Sequence, residues 1–384
     1  MTILTLASAL SGGGMERDHF FLSSELVRMG HSVHVAYLYE GPTGSQTAQG
    51  LAKNGVVLHR LRASNNHDPM LIFQVVGLIR RVKPDILHTW QLQADILGWI
   101  VSRLTRRPCI ITEPSCAKGH PNTWKERLRL LLGAGCAGIV SNSAGGEEYW
   151  RSRSPQSVRY IVPNGFPLEE ISVTPPASPA DIGLPSGQKY LLYAGRLVPG
   201  KGLDKLMEAL AQVMTQLPIT AVFCGDGPLQ ESLEKQAWAT GTADRVRFVG
   251  FVSNTRIWSF MKSAEAFVFP SEFEGMPNVV FEAMACGCPL IVSDIPAHRE
   301  FLDENMTLFV DPYDPCRIAA AIRQSLSDPQ KAQVRAKAAR EEARKYTLSD
   351  MARSYERVYR DVLGRHGKRT IGTRKILSCF FKKC

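Results

Sequence analysis

The sequence predicts an α/β protein of two Rossmann-like, doubly wound domains in series, facing one another across a cleft. Three observations carry this. Short β-branched and apolar runs alternate with amphipathic helical patterns along almost the whole chain. The alternation breaks once, near the middle, in a proline-rich stretch. The length of 384 residues, with 44% hydrophobic and 21% charged side chains, suits two average domains with real cores rather than a disordered chain. Strands separated by helices imply right-handed crossovers and a parallel sheet covered on both faces.

The elements follow in order. Residues 3–6 read as a buried strand. Met1 to Leu10 has the apolar character of a secretory leader, but no Lys or Arg precedes it and Gly12-Gly13-Gly14 follows directly. A helix over 15–29 places Leu22, Leu26 and Met29 on one side and stops at Gly30. Strands follow at 33–38 and 56–61, a helix at 71–82, a strand at 86–88, a helix at 96–104, a strand at 109–112 and a helix at 123–132. Strands at 139–141 and 159–162 end a first domain of 1–165. Pro163-Asn164-Gly165 is a turn, and Pro167, Pro175, Pro176, Pro179 and Pro185 mark 166–187 as a linker. In a second domain of 188–345, strands at 190–194, 220–224, 246–249, 266–269 and 290–292 alternate with helices at 203–214, 229–239, 255–262 and 278–286, with further helices after Asp314.

Charge and cysteine usage narrow the function classes. The net charge of +10 is concentrated at 364–384, a basic tail where Arg365, Lys368, Arg369, Arg374, Lys375, Lys382 and Lys383 meet no acid. A nucleic-acid protein spreads its cations over a folded face, so no nucleic-acid partner is expected. Together with Ile376, Leu377, Phe380 and Phe381, the tail suits an anionic membrane surface, and equally a solvated terminus. Cys384 completes no prenylation box, because Phe381 holds the position the motif requires. The longest uncharged apolar stretch, Leu130 to Val140, is well short of the roughly 20 residues of a membrane-spanning helix. Nine cysteines without paired CxxC spacing read as reduced thiols of a cytoplasmic protein, peripheral at most on the inner face of the plasma membrane.

The loops carry the chemistry. Gly12, Gly13 and Gly14, between a strand and a helix, let backbone amides approach an anion, though they equally suit a tight turn. They form neither a GxGxxG fingerprint nor a Walker loop, which disfavours a dehydrogenase. In the second domain Arg196 and Lys201 project from a glycine-rich strand-end loop, suiting a diphosphate held by two cations without a metal. Farther on, Gly275, Met276 and Pro277 lead into a helix at Asn278 and Val279, whose first amides can hold phosphate or sugar oxygens. Glu282 shares a helical face with Asn278 and can accept both hydroxyls of a ribose, while Glu274 in the loop can reach a sugar hydroxyl. The plainer alternative makes Glu274 a helix-dipole partner and Glu282 a solvated helix residue.

The Glu274-x7-Glu282 spacing in EGMPNVVFEAMACGCP, with AGRLVPGKG, Gly225-Asp226-Gly227-Pro228 and Val162-Pro163-Asn164-Gly165, resembles the retaining glycosyltransferases of family 4 (group 1), of GT-B fold. The resemblance runs to about Leu363. It implies that a nucleotide-sugar donor, by family habit a UDP-sugar, has its diphosphate neutralised by Arg196 and Lys201, its ribose bound by Glu282 and its sugar contacted by Glu274. Gly225, Asp226, Phe251, Gly275, Met276, Pro277, Asn278 and Val279 complete the donor site, and Gly12, Gly13 and Gly14 face the phosphates from the other domain. It further implies that a helix within 346–363 crosses back onto the first domain. The acceptor is expected to be a lipid-linked saccharide in bacterial surface polysaccharide or glycan assembly.

No cofactor or metal is expected, and no DxD motif occurs. Many relatives carry a His or Arg after the strand at 109–112, where this chain reads Thr112-Glu113-Pro114-Ser115. That role is unfilled or falls to Glu113 or His120, and His88 either lines the cleft or is a hydrogen-bonded structural residue. Two rival functions stay open: a nucleotide-sugar epimerase of the same fold, for which no paired acid and base are evident, and a non-catalytic nucleotide-sugar-binding regulator.

Overall fold

The computed structural model describes the chain except residues 11–12, 41–43, 64, 66–67, 121–122 and 381–384, and the side chains of 368–380. It divides into two units, Met1–Gly165 with Leu348–Cys384 and Phe166–Thr347.

The first unit holds seven strands: β1 Thr2–Leu10, β2 Ser32–Glu40, β3 Val57–Arg60, β4 Ile86–Trp90, β5 Cys109–Glu113, β6 Gly138–Ser141 and β7 Arg159–Ile161. All pairs are parallel, in the order β3-β2-β1-β4-β5-β6-β7. Strands covered on both faces lose the polar alternation of a half-exposed sheet, and β4 and β5 are buried throughout. Successive side chains still go to opposite faces. Ile3, Val35, Ile86 and Ile110 pack with Leu22 and Leu26 of the helix Gly14–Arg28, whereas Leu4, Ala36, Leu87 and Cys109 pack with Val75 and Val101 of the helices Met70–Val82 and Leu92–Thr105.

The helix Leu348–Phe380 returns to this unit and lays Tyr355, Val358, Tyr359 and Val362 into the core beside the helix Gly14–Arg28. Tyr359 Oη lies 2.9 Å from His88 Nδ1 on β4, and Tyr160 Oη donates to Asp361 Oδ2 at 2.6 Å. The helix continues well past residue 363, carrying the backbone of the basic tail as far as Phe380. Among the described residues no helix is long and apolar enough to cross a membrane.

The second unit holds β8 Tyr190–Ala194, β9 Thr220–Cys224, β10 Val246–Gly250, β11 Ala266–Phe269, β12 Leu290–Ser293 and β13 Leu308–Val310, parallel and in the order β10-β9-β8-β11-β12-β13. Both sheets therefore reverse their order once, next to their own first strand. The stretch read as a linker is instead part of this unit. Its prolines shape a short helix at Leu168–Val173 and a capped 3-10 turn at Pro179–Ile182, and Ile171, Ile182 and Leu184 enter the core. Too few apolar positions recur there to reveal a helical period, yet Phe166, Ile171, Ile182 and Leu184 are buried while Val173 is exposed.

Tyr359→Ala should destabilise the first unit by about 3–5 kcal/mol, the cost of emptying a large aromatic site, and Tyr359→Phe by about 1 kcal/mol for the lost hydrogen bond. Urea unfolding monitored on the first unit checks both values, and equal effects from the two variants would contradict the packing role.

Candidate active site

In open parallel sheets ligands bind beyond the carboxyl ends of the strands where the order reverses. In the second unit this is the junction of β8 and β11. β8 feeds the loop 195–202, and β11 feeds the loop 270–277 that precedes the helix Asn278–Cys286. The two segments singled out by sequence thus emerge side by side. The Glu272 amide donates to the Gly200 carbonyl at 2.9 Å, and Ser271 Oγ lies 3.2 Å from the same carbonyl oxygen. Across this seam Lys201 Nζ donates to Glu274 Oε1 at 2.5 Å, and Ser271 Oγ lies 2.7 Å from that oxygen.

Backbone approach makes the seam possible. Gly202 has φ +65°, and a Cβ there would lie 2.1 Å from the Pro270 carbonyl oxygen. Gly225 has φ +136°, and a Cβ would lie 2.0 Å from the Gly195 carbonyl oxygen. The loop after β9 is thereby drawn against the loop after β8, where the Leu197 amide donates to the Asp226 carbonyl at 2.9 Å. The side chains of Arg196, Asp226 and Phe251 are exposed at this edge.

Gly275 and Pro277 are buried, and Met276, Asn278 and Val279 are half-buried. Pro277 caps the helix without a side-chain hydrogen bond, so the amides of Asn278 and Val279 head the helix where its dipole favours an anion. Glu282, one turn in, is 2% exposed, which rules out a solvated surface role. Glu274 precedes the helix rather than lying in its first turn.

Ser293 and His298 support this edge without any sequence signal. Ser293 Oγ donates to the Ser271 carbonyl at 2.5 Å, and His298 Nδ1 donates to the Ser293 carbonyl at 2.8 Å. His298 is fully buried, its Nε2 has no hydrogen-bond partner among the described residues, and burial pushes the imidazole down to about 4.

The order of the first sheet reverses between β1 and β4. Gly13 and Gly14 are exposed at the start of the helix Gly14–Arg28, and Gly12 lies outside the described residues. Gln91, directly after β4, has φ +80° and ψ 152°, a region essentially reserved for glycine. Its Oε1 accepts from the Ser8 and Ala9 amides at 2.9 and 3.3 Å, and its Nε2 donates to Glu16 Oε1 at 2.8 Å. One strained residue thus ties both central strands to the first helical turn, and nothing in the sequence marks it.

The candidate acceptor residues are held differently from one another. His88 is buried between Tyr359 Oη and Thr112 Oγ1, at 2.9 and 2.5 Å, which is the structural alternative. Glu113 is fully buried, and each carboxylate oxygen accepts twice: Oε2 from Arg129 Nη1 and Trp150 Nε1 at 2.7 and 2.9 Å, Oε1 from the Ser115 amide and His120 Nε2 at 3.0 and 3.1 Å. Burial alone would raise its carboxyl, but Arg129 and His120 hold it below the usual range. His120 keeps a small exposed edge; burial works against its charge, yet Glu113 and Glu126 raise it to about 9. Arg129 also pairs with Asp95 at 2.6 Å and Glu126 at 3.3 Å, so Glu113 belongs to a saturated buried network.

Comparison with known proteins gives two family matches that together span most of the chain: Glycosyltransferase Family 4 over residues 12–170 and Glycosyl transferases group 1 over residues 176–342. The lipopolysaccharide core biosynthesis glycosyltransferase LpsD of Rhizobium meliloti is 34% identical over 280 residues, covering 68% of this chain and 70% of that protein. An uncharacterized glycosyltransferase of Methanocaldococcus jannaschii is 26% identical, covering 82% and 86%. Among solved structures, Anabaena HepE in complex with UDP and glucose superposes with a TM-score of 0.82 at 20% identity over 94% of this chain and all of that one, which places the fold in the GT-B class.

Buried neutral imidazoles make stability pH-dependent. Burial holds His19 down at about 3 and His298 at about 4, and holds His88 well below its ordinary value. As pH falls from 6.5 towards 4 the unfolded chain takes up these protons and the folded chain does not, so stability is lost in that window, by at most about 1.4 kcal/mol per pH unit for each imidazole. Asp95, which burial raises to about 6, partly offsets this in the first unit. Urea midpoints between pH 7.5 and 4.5 should therefore decline, and His298→Gln should flatten the profile of the second unit; a flat profile in the parent protein would contradict the assignment.

Proposed function

This chain belongs to the group 1 glycosyltransferases of family 4, and from that premise we propose that it moves a sugar, with retention of anomeric configuration, from a UDP-sugar to a lipid-linked saccharide of bacterial surface polysaccharide. The observation that carries this reading is the Lys201–Glu274 contact, which joins the diphosphate and sugar motifs at one strand edge. The choice of UDP is supported by the UDP and glucose in the HepE complex, and the pathway by the lipopolysaccharide role of LpsD.

In the proposed reaction the bond between the anomeric carbon and the diphosphate breaks, and its electron pair stays on the phosphate oxygen. The acceptor hydroxyl bonds the anomeric carbon on the same face, and its proton passes to the departing phosphate. Arg196 and Lys201 stabilise the negative charge that grows there, aided by the helix amino terminus at Asn278 and Val279. Glu274, held by Lys201 and Ser271, orients the donor sugar, and Glu282 binds the ribose. These side-chain cations take the place of a metal clamp, so no metal is required. The enzyme works at the inner face of the plasma membrane, and its basic tail adds a lipid contact through side chains that, from Lys368 on, lie outside the described residues.

Because charge on the leaving group grows in the transition state, Arg196→Ala and Lys201→Ala should each lower kcat by about 100-fold or more, as on losing one preorganised electrostatic donor. Steady-state kinetics with a transferable donor checks this, and near-normal turnover in both variants would end the assignment. Glu282→Gln should instead raise the nucleotide Kd, read by calorimetry, because ribose is held alike in ground and transition states. Activity should persist in EDTA, and a strict requirement for added divalent metal would contradict the side-chain clamp.

A further inference from the structure

The helix Trp124–Gly133 is reversed in polarity. Its buried residues are Glu126, Arg129 and Gly133, while Trp124 and Leu131 are 68% and 73% exposed. Ordinary amphipathic helices do the opposite. It packs beside the helix Leu92–Thr105, which packs in turn beside the helix Met70–Val82. That third helix exposes Met70 and Phe73, the latter at 68%, and Leu104 is exposed at the end of the middle one.

Charge on this three-helix layer is segregated as well. Its two acids, Asp95 and Glu126, are buried on Arg129, whereas Arg80, Arg81, Arg103 and Arg127 are exposed. The outer surface therefore offers aromatic and aliphatic side chains interleaved with cations and no acid. His366 Nε2 lies 3.2 Å from the Arg106 carbonyl, so the basic tail sets out beside the same layer.

We propose that this layer is a docking face for an anionic lipid bilayer, with Phe73, Trp124 and Leu131 entering the headgroup region and the arginines pairing with lipid phosphates. A second copy of the chain fits poorly, because an isologous contact would set arginine against arginine with no acid to answer it. Aliphatic Leu131, Leu104 and Met70 match hydrocarbon rather than the stacked bases of a nucleic acid. The face is distinct from the tail and independent of the transfer chemistry, so its failure would leave the transferase assignment standing.

Sedimentation with phosphatidylcholine vesicles containing about one-quarter phosphatidylglycerol tests it. The full chain should bind these and not pure phosphatidylcholine. Combined Phe73→Ser, Trp124→Ser and Leu131→Ser should reduce partitioning by about ten-fold or more, both in the full chain and in a chain ending at Gly364, with unchanged circular dichroism. Arg80→Gln with Arg81→Gln, which leaves the apolar side chains in place, should weaken binding at low salt and make no difference at high salt. Undiminished binding by the triple variant, or no vesicle binding by the full chain, overturns the proposal. So does a dimer of the parent chain in solution that the triple variant dissolves.

Discussion

Close backbone approach at the carboxyl edge of the second sheet is the constraint on which the site depends. The loop after β8 can lie against the loop after β11 only because Gly202 leaves room for the Pro270 carbonyl, and against the loop after β9 only because Gly225 leaves room at Gly195. With both contacts made, Lys201 and Glu274 meet across strands that are neighbours in space and more than 70 residues apart in the chain. A positive charge and a carboxylate held this way need little reorganisation when a charged substrate arrives, which is the condition under which electrostatic stabilisation is most effective. Ser271 and Ser293 extend the same rigidity outward, the first gripping Glu274 and the second gripping Ser271.

Much of this was legible in the sequence because it depends on period and punctuation. Alternating apolar runs and helical stripes located most of the strands, and Gly30, Gly195 and Pro277 marked real element ends. Some helices carry no such signal. Gly44–Lys53 and Ala144–Arg153 are short and rich in glycine and polar residues, so they lack the apolar period that identifies a helix; the second is capped by Ser143, whose hydroxyl accepts from the Gly146 amide. The stretch 166–187 reads as a linker for a related reason: its prolines mark turns but do not reveal that Ile171 and Leu184 are buried.

At the sites, motif residues were visible and their supports were not. Arg196, Lys201, Glu274 and Glu282 announce themselves by residue type and spacing. Gln91, Ser293 and His298 are ordinary residues in ordinary contexts, and only the folded backbone gives them roles. Glu113 shows the converse: it sits at a strand end where chemistry is expected, yet four hydrogen bonds occupy its carboxylate fully. A carboxylate so saturated works better as a framework for the loop that carries His120 than as a group meeting a sugar.

The helix Leu348–Phe380 has a further consequence, for the order in which the chain can fold on the ribosome. Every contact within the second unit lies between residues 166 and 347, so that unit can reach its native state as soon as this segment clears the exit tunnel. The first unit is synthesised earlier but finishes later. Its β4 waits for Tyr359 to meet His88 across 271 residues, and until then the core face lined by Ile3, Val35 and Ile86 has Leu22 and Leu26 over it but lacks Tyr355, Val358, Tyr359 and Val362. The nascent amino-terminal half therefore leaves part of one sheet face uncovered during synthesis, and chaperone dependence in the cell should rise with the time taken to translate the intervening segment.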